Sequence, residues 1–301
     1  MKLPIAFHPI YKHPLPEGHR FPMIKYELLP QQLLHEGTAE HDDFFEPDVA
    51  NLETVLNVHK RSYVGELLEL TLDPRAARKI GFPLSAELVE RELRIANGTI
   101  IGTQKAFDTG IAFNIAGGTH HAYSDRGEAF CLLNDQAIAA QFLLNQKLAK
   151  KILIVDLDVH QGNGTAEIFQ DNHSVFTFSM HGKSNYPFKK EVSDLDIALP
   201  DGTNDETYLK ILTETLPQLI QKEKPDFIFY LSGVDILATD KLGRLSVSLA
   251  DCKERDRFVF SLCKQHEIPV VVALGGGYSP DIKDIVEAHC NTFRLAMDFF
   301  S

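Results

Sequence analysis

Residues 152–164, ILIVDLDVHQGNG, constrain the fold more than any other stretch of the chain. Residues 152–157 carry Ile, Leu and Val on both faces, the pattern of a strand buried on both sides. Asp158, Val159 and His160 arrive where such a strand ends. Gly162 and Gly164 then allow a sharp turn and close backbone approach. A strand alternates its faces, so Asp156, Asp158 and His160 share one. Two carboxylates and an imidazole at the end of a core strand cost on the order of several kcal/mol unless paired or bound to a cation. In open α/β sheets that end of the strand is also where ligands bind.

Further strands are predicted at 3–7, 111–115, 175–179, 227–232 and 269–274. Helices are predicted at 23–35, 51–57, 62–70, 85–107, 130–148, 165–170, 205–221, 251–266 and 281–300. The helix at 85–107 should loosen near Gly98 and Gly102. Residues 73–83 read as a basic connector, and 8–22 as a long irregular loop carrying His8, His13, His19 and Arg20. Strands alternating with helices imply α/β architecture: a mostly parallel sheet with helices on both faces. No repeat, low-complexity tract or linker divides residues 1–301, so one domain is expected.

The net charge of −12 disfavours direct nucleic-acid binding. No apolar window of membrane-spanning length occurs, and the N-terminus lacks a leader pattern. Cys131, Cys252, Cys263 and Cys290 show no CxxC pairing and read as reduced, mostly buried thiols, which implies a cytoplasmic chain.

Four strand ends carry unusual polar residues: His120 and His121, Asp158 and His160, Asp235, and Tyr278 behind Gly275, Gly276 and Gly277. A parallel sheet places all four ends on one edge. Asp158, His160 and Asp235 form a ligand set suited to Zn²⁺ or another borderline divalent ion, with room left for water and substrate. The His pair supplies acid and base, and Tyr278 a donor to an oxyanion. Singly, each cluster has a plainer reading as a turn, a helix cap or a surface pair. The glycine run lacks both GxGxxG spacing and a following P-loop Lys. Four such clusters at strand ends are far less easily a coincidence.

These residues resemble the histone deacetylase family, and within it the class IV branch and its bacterial relatives. The resemblance rests on GGTHHAYSDRGEAFCLLND (117–135), IVDLDVHQGNGTAEIF (154–169), DGTNDETYL (201–209), SGVDILATDKLGRLSVS (232–248), LGGGYS (274–279) and, near the N-terminus, residues 8–26. It implies the arginase/deacetylase fold and metal-dependent hydrolysis of the side-chain amide of acylated lysine, as a deacetylase or a long-chain deacylase. The partner is then an acyl-lysine protein or peptide. Small amides such as acetylpolyamines are the alternative substrates, and a non-catalytic acyl-lysine binder the alternative role. A ureohydrolase of the same fold is disfavoured, because Gly162 stands where its DxHxD-type run needs a carboxylate.

The resemblance further implies Zn²⁺, or Fe²⁺ in its place, on Asp158, His160 and Asp235. His120, His121 and Tyr278 would be catalytic. Asp156 would hold His120, and Asn163 would hold His121 and, being neutral, leave it less basic than a carboxylate would. K⁺ would sit near Asp156, Ser179 and the backbone carbonyls of Asp158 and His160. Phe130 and Tyr186 would wall a substrate tunnel with Gly276 and Gly277, and Arg20 and Met23 would face an internal channel below the metal. Two positions depart from the family. Pro83 follows Gly81-Phe82 where a rim carboxylate stands in other members, and Ala129 replaces a glycine before Phe130.

Overall fold

The computed structural model describes residues 3–300. Among them, eight strands are β1 (Ile5–Ala6), β2 (Phe44–Phe45), β3 (Ile111–Asn114), β4 (Ile152–Asp156), β5 (Val175–Gly182), β6 (Leu195–Leu199), β7 (Phe227–Leu231) and β8 (Val270–Ala273). The helices are α1 (Lys25–Glu36), α2 (Leu52–Leu56), α3 (Arg61–Leu68), α4 (Pro74–Ile80), α5 (Ala86–Thr109), α6 (Asp135–Asn145), α7 (Asn163–Phe169), α8 (Asp205–Glu223), α9 (Leu249–Gln265) and α10 (Ile282–Phe300).

The strands form one sheet in the order β2-β1-β3-β8-β7-β4-β5-β6, and every neighbouring pair is parallel. Every residue of β3, β4, β5, β7 and β8 is buried, so helices cover the sheet on both faces. The expected α/β fold is therefore present, with the sheet wholly rather than mostly parallel. The short β2 and the largely half-buried β6 are edge strands that the sequence pattern missed.

Strand order sets the site. From β4 the chain steps outward to β5 and β6, then returns to β7 on the other side of β4 and continues to β8 beside β3. The carboxyl ends of β3, β8, β7 and β4 thus lie side by side at the point where the winding reverses.

Three expectations need correction. Residues 73–83 are not a connector but contain α4. The Asp73 side chain accepts from Arg75 N–H at 2.8 Å, Pro74 opens the first turn, and Gly81 ends the helix at φ +84°. The predicted helix at 130–148 begins only at Asp135, where the Asn134 side chain caps it. Ala129 and Phe130 have φ of +45° and +69°, which no right-handed helix accepts. Finally, α5 runs unbroken through Gly98 and Gly102. At Gly98 a Cβ would come within 2.8 Å of the Tyr11 hydroxyl and 3.0 Å of Ala6. That glycine lets α5 lie close on the sheet rather than loosening the helix.

Candidate active site

The end of β4 carries Asp156, and the chain continues through Asp158 and His160, all buried. Asp235 follows β7, the neighbour of β4, and is buried completely. His160 Nδ1 lies 3.0 Å from Asp158 Oδ1 and 3.1 Å from Asp235 Oδ2. One ligand atom from each of the three residues falls within 4.8 Å of the others. Gly276 closes over them. Its N–H donates to Asp158 Oδ2 at 2.8 Å, and a Cβ there would lie 2.0 Å from Asp235 Oδ2. Burial and the adjacent Asp158 charge push the Asp235 carboxyl up, while burial works against the His160 cation and the two carboxylates outweigh it. Two carboxylates crowded onto one imidazole nitrogen, in a cradle without space for a side chain, fit a divalent cation of the borderline kind.

The loop after β3 brings the His pair. The side chain of Asp135 accepts from the N–H groups of Gly118 and Thr119 at 2.9 Å and from the Thr119 hydroxyl at 2.8 Å, which fixes this loop. His120 and His121 are each 5% exposed, with ring centroids 4.0 Å apart. His120 Nδ1 is 2.7 Å from Asp156 Oδ2, and His121 Nδ1 is 2.6 Å from Asn163 Oδ1. Burial lowers the basicity of both. At His120 the Asp156 carboxylate outweighs burial and raises it; at His121 burial and the neighbouring His120 and His160 charges lower it strongly.

Tyr278 comes from the loop after β8. Its N–H donates to Asp240 Oδ2 at 2.6 Å, and Lys25 Nζ donates to the Gly275 carbonyl at 2.8 Å. Burial and the Asp235 and Asp158 charges push the Tyr278 phenol well up, so it keeps its proton. Its ring centroid is 6.3 Å from those of His160 and Phe130.

A pocket of about 390 Å³ opens above these groups. Phe130, Tyr186, Tyr278, His121 and His160 line it. Tyr186 stands perpendicular to His121 with centroids 5.0 Å apart, and its hydroxyl donates to Glu128. A smaller cavity of about 40 Å³ continues inward, bordered by His120, His121, Asp158, Tyr278 and Gly276. Gly276 borders this cavity as expected, but Gly277 lines neither cavity: a Cβ there would meet Val234 at 2.6 Å and Ile285 at 3.2 Å. Asp156 and Ser179 are register partners on β4 and β5, and the Ser179 hydroxyl lies 3.0 Å from His181 Nδ1.

The four strand-end clusters thus converge. The expected internal channel at Arg20 and Met23 does not hold: Arg20 lines the outer pocket, with its guanidinium 5.0 Å from the Phe130 ring centroid, and the buried Met23 lines neither cavity. Arg91 from α5 borders the inner cavity instead, 2% exposed and paired with Glu92. Asp135, Asp240 and Lys25 were not singled out in the sequence. Asp240 carried a local signal, because its side chain also accepts from Leu242 and Gly243 N–H groups in a turn before glycine.

The histone deacetylase domain model matches residues 19–293. This chain belongs to the histone deacetylase family. An uncharacterized protein of Picosynechococcus is 45% identical over 300 residues, covering all of both chains. Histone deacetylase 2 of Arabidopsis thaliana is 29% identical over 86% of this chain and 70% of its own. A crystal structure of an HDAC homolog from Aquifex aeolicus superposes with a TM-score of 0.83 at 24% identity, over 99% of this chain and 84% of that one, and so shares the fold. Membership makes the chain a deacetylase-type hydrolase, and the buried Asp158-His160-Asp235 set matches the metal dependence of histone deacetylases. Among the described residues no helix is long and apolar enough to cross a membrane. The four cysteines are free and buried.

Proposed function

We propose that this protein hydrolyses the side-chain amide of acylated lysine, with Asp158, His160 and Asp235 holding Zn²⁺ or Fe²⁺. The observation that carries the reading is the arrangement of that buried ligand set beside two unlike histidines and one protonated tyrosine, at the base of an aromatic pocket.

When bound, the divalent ion supplies Lewis acidity and makes water nucleophilic near neutral pH. The lysine stem lies between Phe130 and Tyr186. The Tyr278 hydroxyl donates to the amide carbonyl oxygen, more strongly as that oxygen gains charge. His121, with its Nδ1 proton held by Asn163, offers Nε2 as the base that takes a proton from water. His120, held by Asp156, keeps positive charge beside the reacting centre. The new C–O bond forms first and puts negative charge on the carbonyl oxygen beside Tyr278; that charge then reforms the C=O bond as the amide C–N bond breaks and the proton passes to the leaving lysine amine. The products are a carboxylate and a free lysine. A K⁺ ion near Asp156, Ser179 and the carbonyls of residues 158 and 160 would reinforce the turn from β4.

The inner cavity of about 40 Å³ exceeds the minimum for one water but not by the volume of a long chain. This favours acetyl over octanoyl or myristoyl. The test is hydrolysis of matched lysine peptides bearing the three groups, using metal-loaded protein beside an Asp158→Ala control. Acetyl turnover that disappears in the control supports the proposal. Turnover rising with chain length overturns the acetyl preference. No turnover despite bound metal overturns the reaction itself and favours a binder of acyl-lysine.

A further inference from the structure

The mouth of the pocket is an exception to the charge of the chain. The sequence holds 42 acidic and 30 basic residues. The residues lining the outer pocket nevertheless include Arg20, Lys79 and Arg244, and no Asp or Glu. Arg20 is exposed, with its guanidinium stacked over the Phe130 wall. Lys79 is exposed on the last turn of α4. Among the described residues neither has an ion-pair partner. Arg244 faces Asp201 at 3.3 Å, yet its side chain remains 56% exposed. Glu128, next to Ala129, is already engaged by the Tyr186 hydroxyl and Arg126.

The geometry points to a substrate in which the acylated lysine is flanked by acidic side chains, recognised by Arg20 and Lys79 at the mouth. The inference rests on the acyl-lysine reading and narrows it. Carboxylates beside the entering lysine meet two cations that nothing else neutralises, which speeds encounter and lowers KM. A lysine- or arginine-rich peptide meets like charge, and so does an acetylpolyamine with its remaining ammonium groups. The discrimination acts before the chemical step, so it belongs to KM rather than kcat.

Three acetyl-lysine substrates test it: a peptide with Glu on both sides, the same peptide with Lys on both sides, and free Nε-acetyl-lysine, whose own carboxylate offers the same chemistry. At ~50 mM salt the Glu peptide should show kcat/KM about tenfold higher than the Lys peptide, and at ~0.5 M salt most of that ratio should vanish. The Arg20→Gln/Lys79→Gln double variant should lose the preference, while Arg20→Lys should keep it. Equal or reversed ratios, or a preference that survives in the double variant, overturn the inference. Free acetyl-lysine matching the Glu peptide would replace the peptide flank with a small amino-acid substrate. If no substrate turns over, fluorescence anisotropy of the labelled peptides decides separately. Tighter binding of the Glu peptide, lost in the double variant, supports the cationic mouth while the hydrolysis reading falls. Equal binding overturns both.

Discussion

His121 Nδ1 lies 2.6 Å from Asn163 Oδ1, and what fixes that contact is the other end of the amide. Asn163 Nδ2 donates to the Tyr123 hydroxyl at 2.9 Å, and that hydroxyl donates to Glu191 Oε1 at 3.2 Å. With its nitrogen engaged, the amide turns its oxygen to His121. The imidazole must then carry its proton on Nδ1 and leave Nε2 unprotonated, as the proposed base requires. Asn163→Leu removes the acceptor and should lower kcat by about 10- to 100-fold. Tyr123→Phe leaves the amide free to turn and should cost roughly a few-fold. Steady-state kinetics on an acetyl-lysine peptide reads both; an unchanged kcat in Asn163→Leu would leave His121 without an orienting partner in the mechanism.

Tyr278 is positioned by its backbone as much as by its ring. Asp240 takes its N–H and Lys25 takes the Gly275 carbonyl, so the loop that presents the phenol is tied at both ends. Tyr278→Phe keeps these ties and removes one donor. Its kcat should fall on the order of 10²–10³, with a smaller change in KM. Full turnover in that variant would assign oxyanion stabilisation elsewhere.

The crowding of Asp158 and Asp235 gives a test that needs no activity. Without a cation, two buried carboxylates face one imidazole: burial and the Asp158 charge push the Asp235 carboxyl up, whereas at Asp158 the hydrogen bond and charge of His160 and the charge of His120 outweigh burial and hold the carboxyl well down. In chelator-treated protein, Asp235→Asn should therefore melt above the parent. Zn²⁺ at about a hundred times its dissociation constant should stabilise the parent by about 2.7 kcal/mol and the variant far less. Calorimetry with and without Zn²⁺ checks this. Equal stabilisation of the two proteins would remove Asp235 from the ligand set.

The site was legible because its signals are local. Residues 152–164 announce a buried strand and the polar residues that follow it in one short run, and β4 occupies Ile152–Asp156. The glycines beside Asp235 and Tyr278 mark where backbone must come close, which Gly276 over Asp235 bears out. What escaped depends on distant packing. Arg20 and Arg91 look alike in the sequence, yet one stacks on Phe130 at the mouth and the other lies buried against Glu92. Only the path of α5 across the sheet decides which arginine faces inward. The Asp73-Pro74 start and Gly81 end of α4 are also turn signals, so local chemistry alone did not separate helix from connector. The two-residue β2 has no periodicity to read.

Glu36 on α1 and Arg294 on α10 form a two-pronged ion pair at 2.9 and 2.6 Å, far from the site. Burial pushes the Glu36 carboxyl up, but hydrogen bonds from Arg294, Thr38 and Gln32 outweigh it and bring it from 4.5 to about 2. A depressed carboxyl contributes stability that is complete above its unfolded pKa and is lost as pH falls toward the folded one. With solvent screening allowed for, the contribution near neutral pH is about 2 kcal/mol. Urea denaturation of Glu36→Gln should show that deficit at pH 7 and converge on the parent between pH 4.5 and about 2. A pH-independent deficit would mean that packing, not charge, is what the substitution removes.

Ala129 stands in a strained turn before Phe130, which lines the outer pocket. Its φ of +45° lies in the left-handed region, and so does the +69° of Phe130 after it. The turn persists because the two N–H groups donate to the Lys79 and Ile80 carbonyls at the end of α4, at 2.9 and 2.6 Å. An L side chain in that conformation costs roughly 1–2 kcal/mol. Glycine removes the strain but returns about 0.5–1 kcal/mol through a freer unfolded chain. Ala129→Gly should therefore stabilise the protein by about 0.5–1 kcal/mol in urea denaturation. Both backbone bonds remain, so Phe130 keeps its place and KM for an acetyl-lysine peptide should change by less than about twofold. A less stable variant with a raised KM would show that the Ala129 methyl group, rather than the backbone of α4, is what positions Phe130.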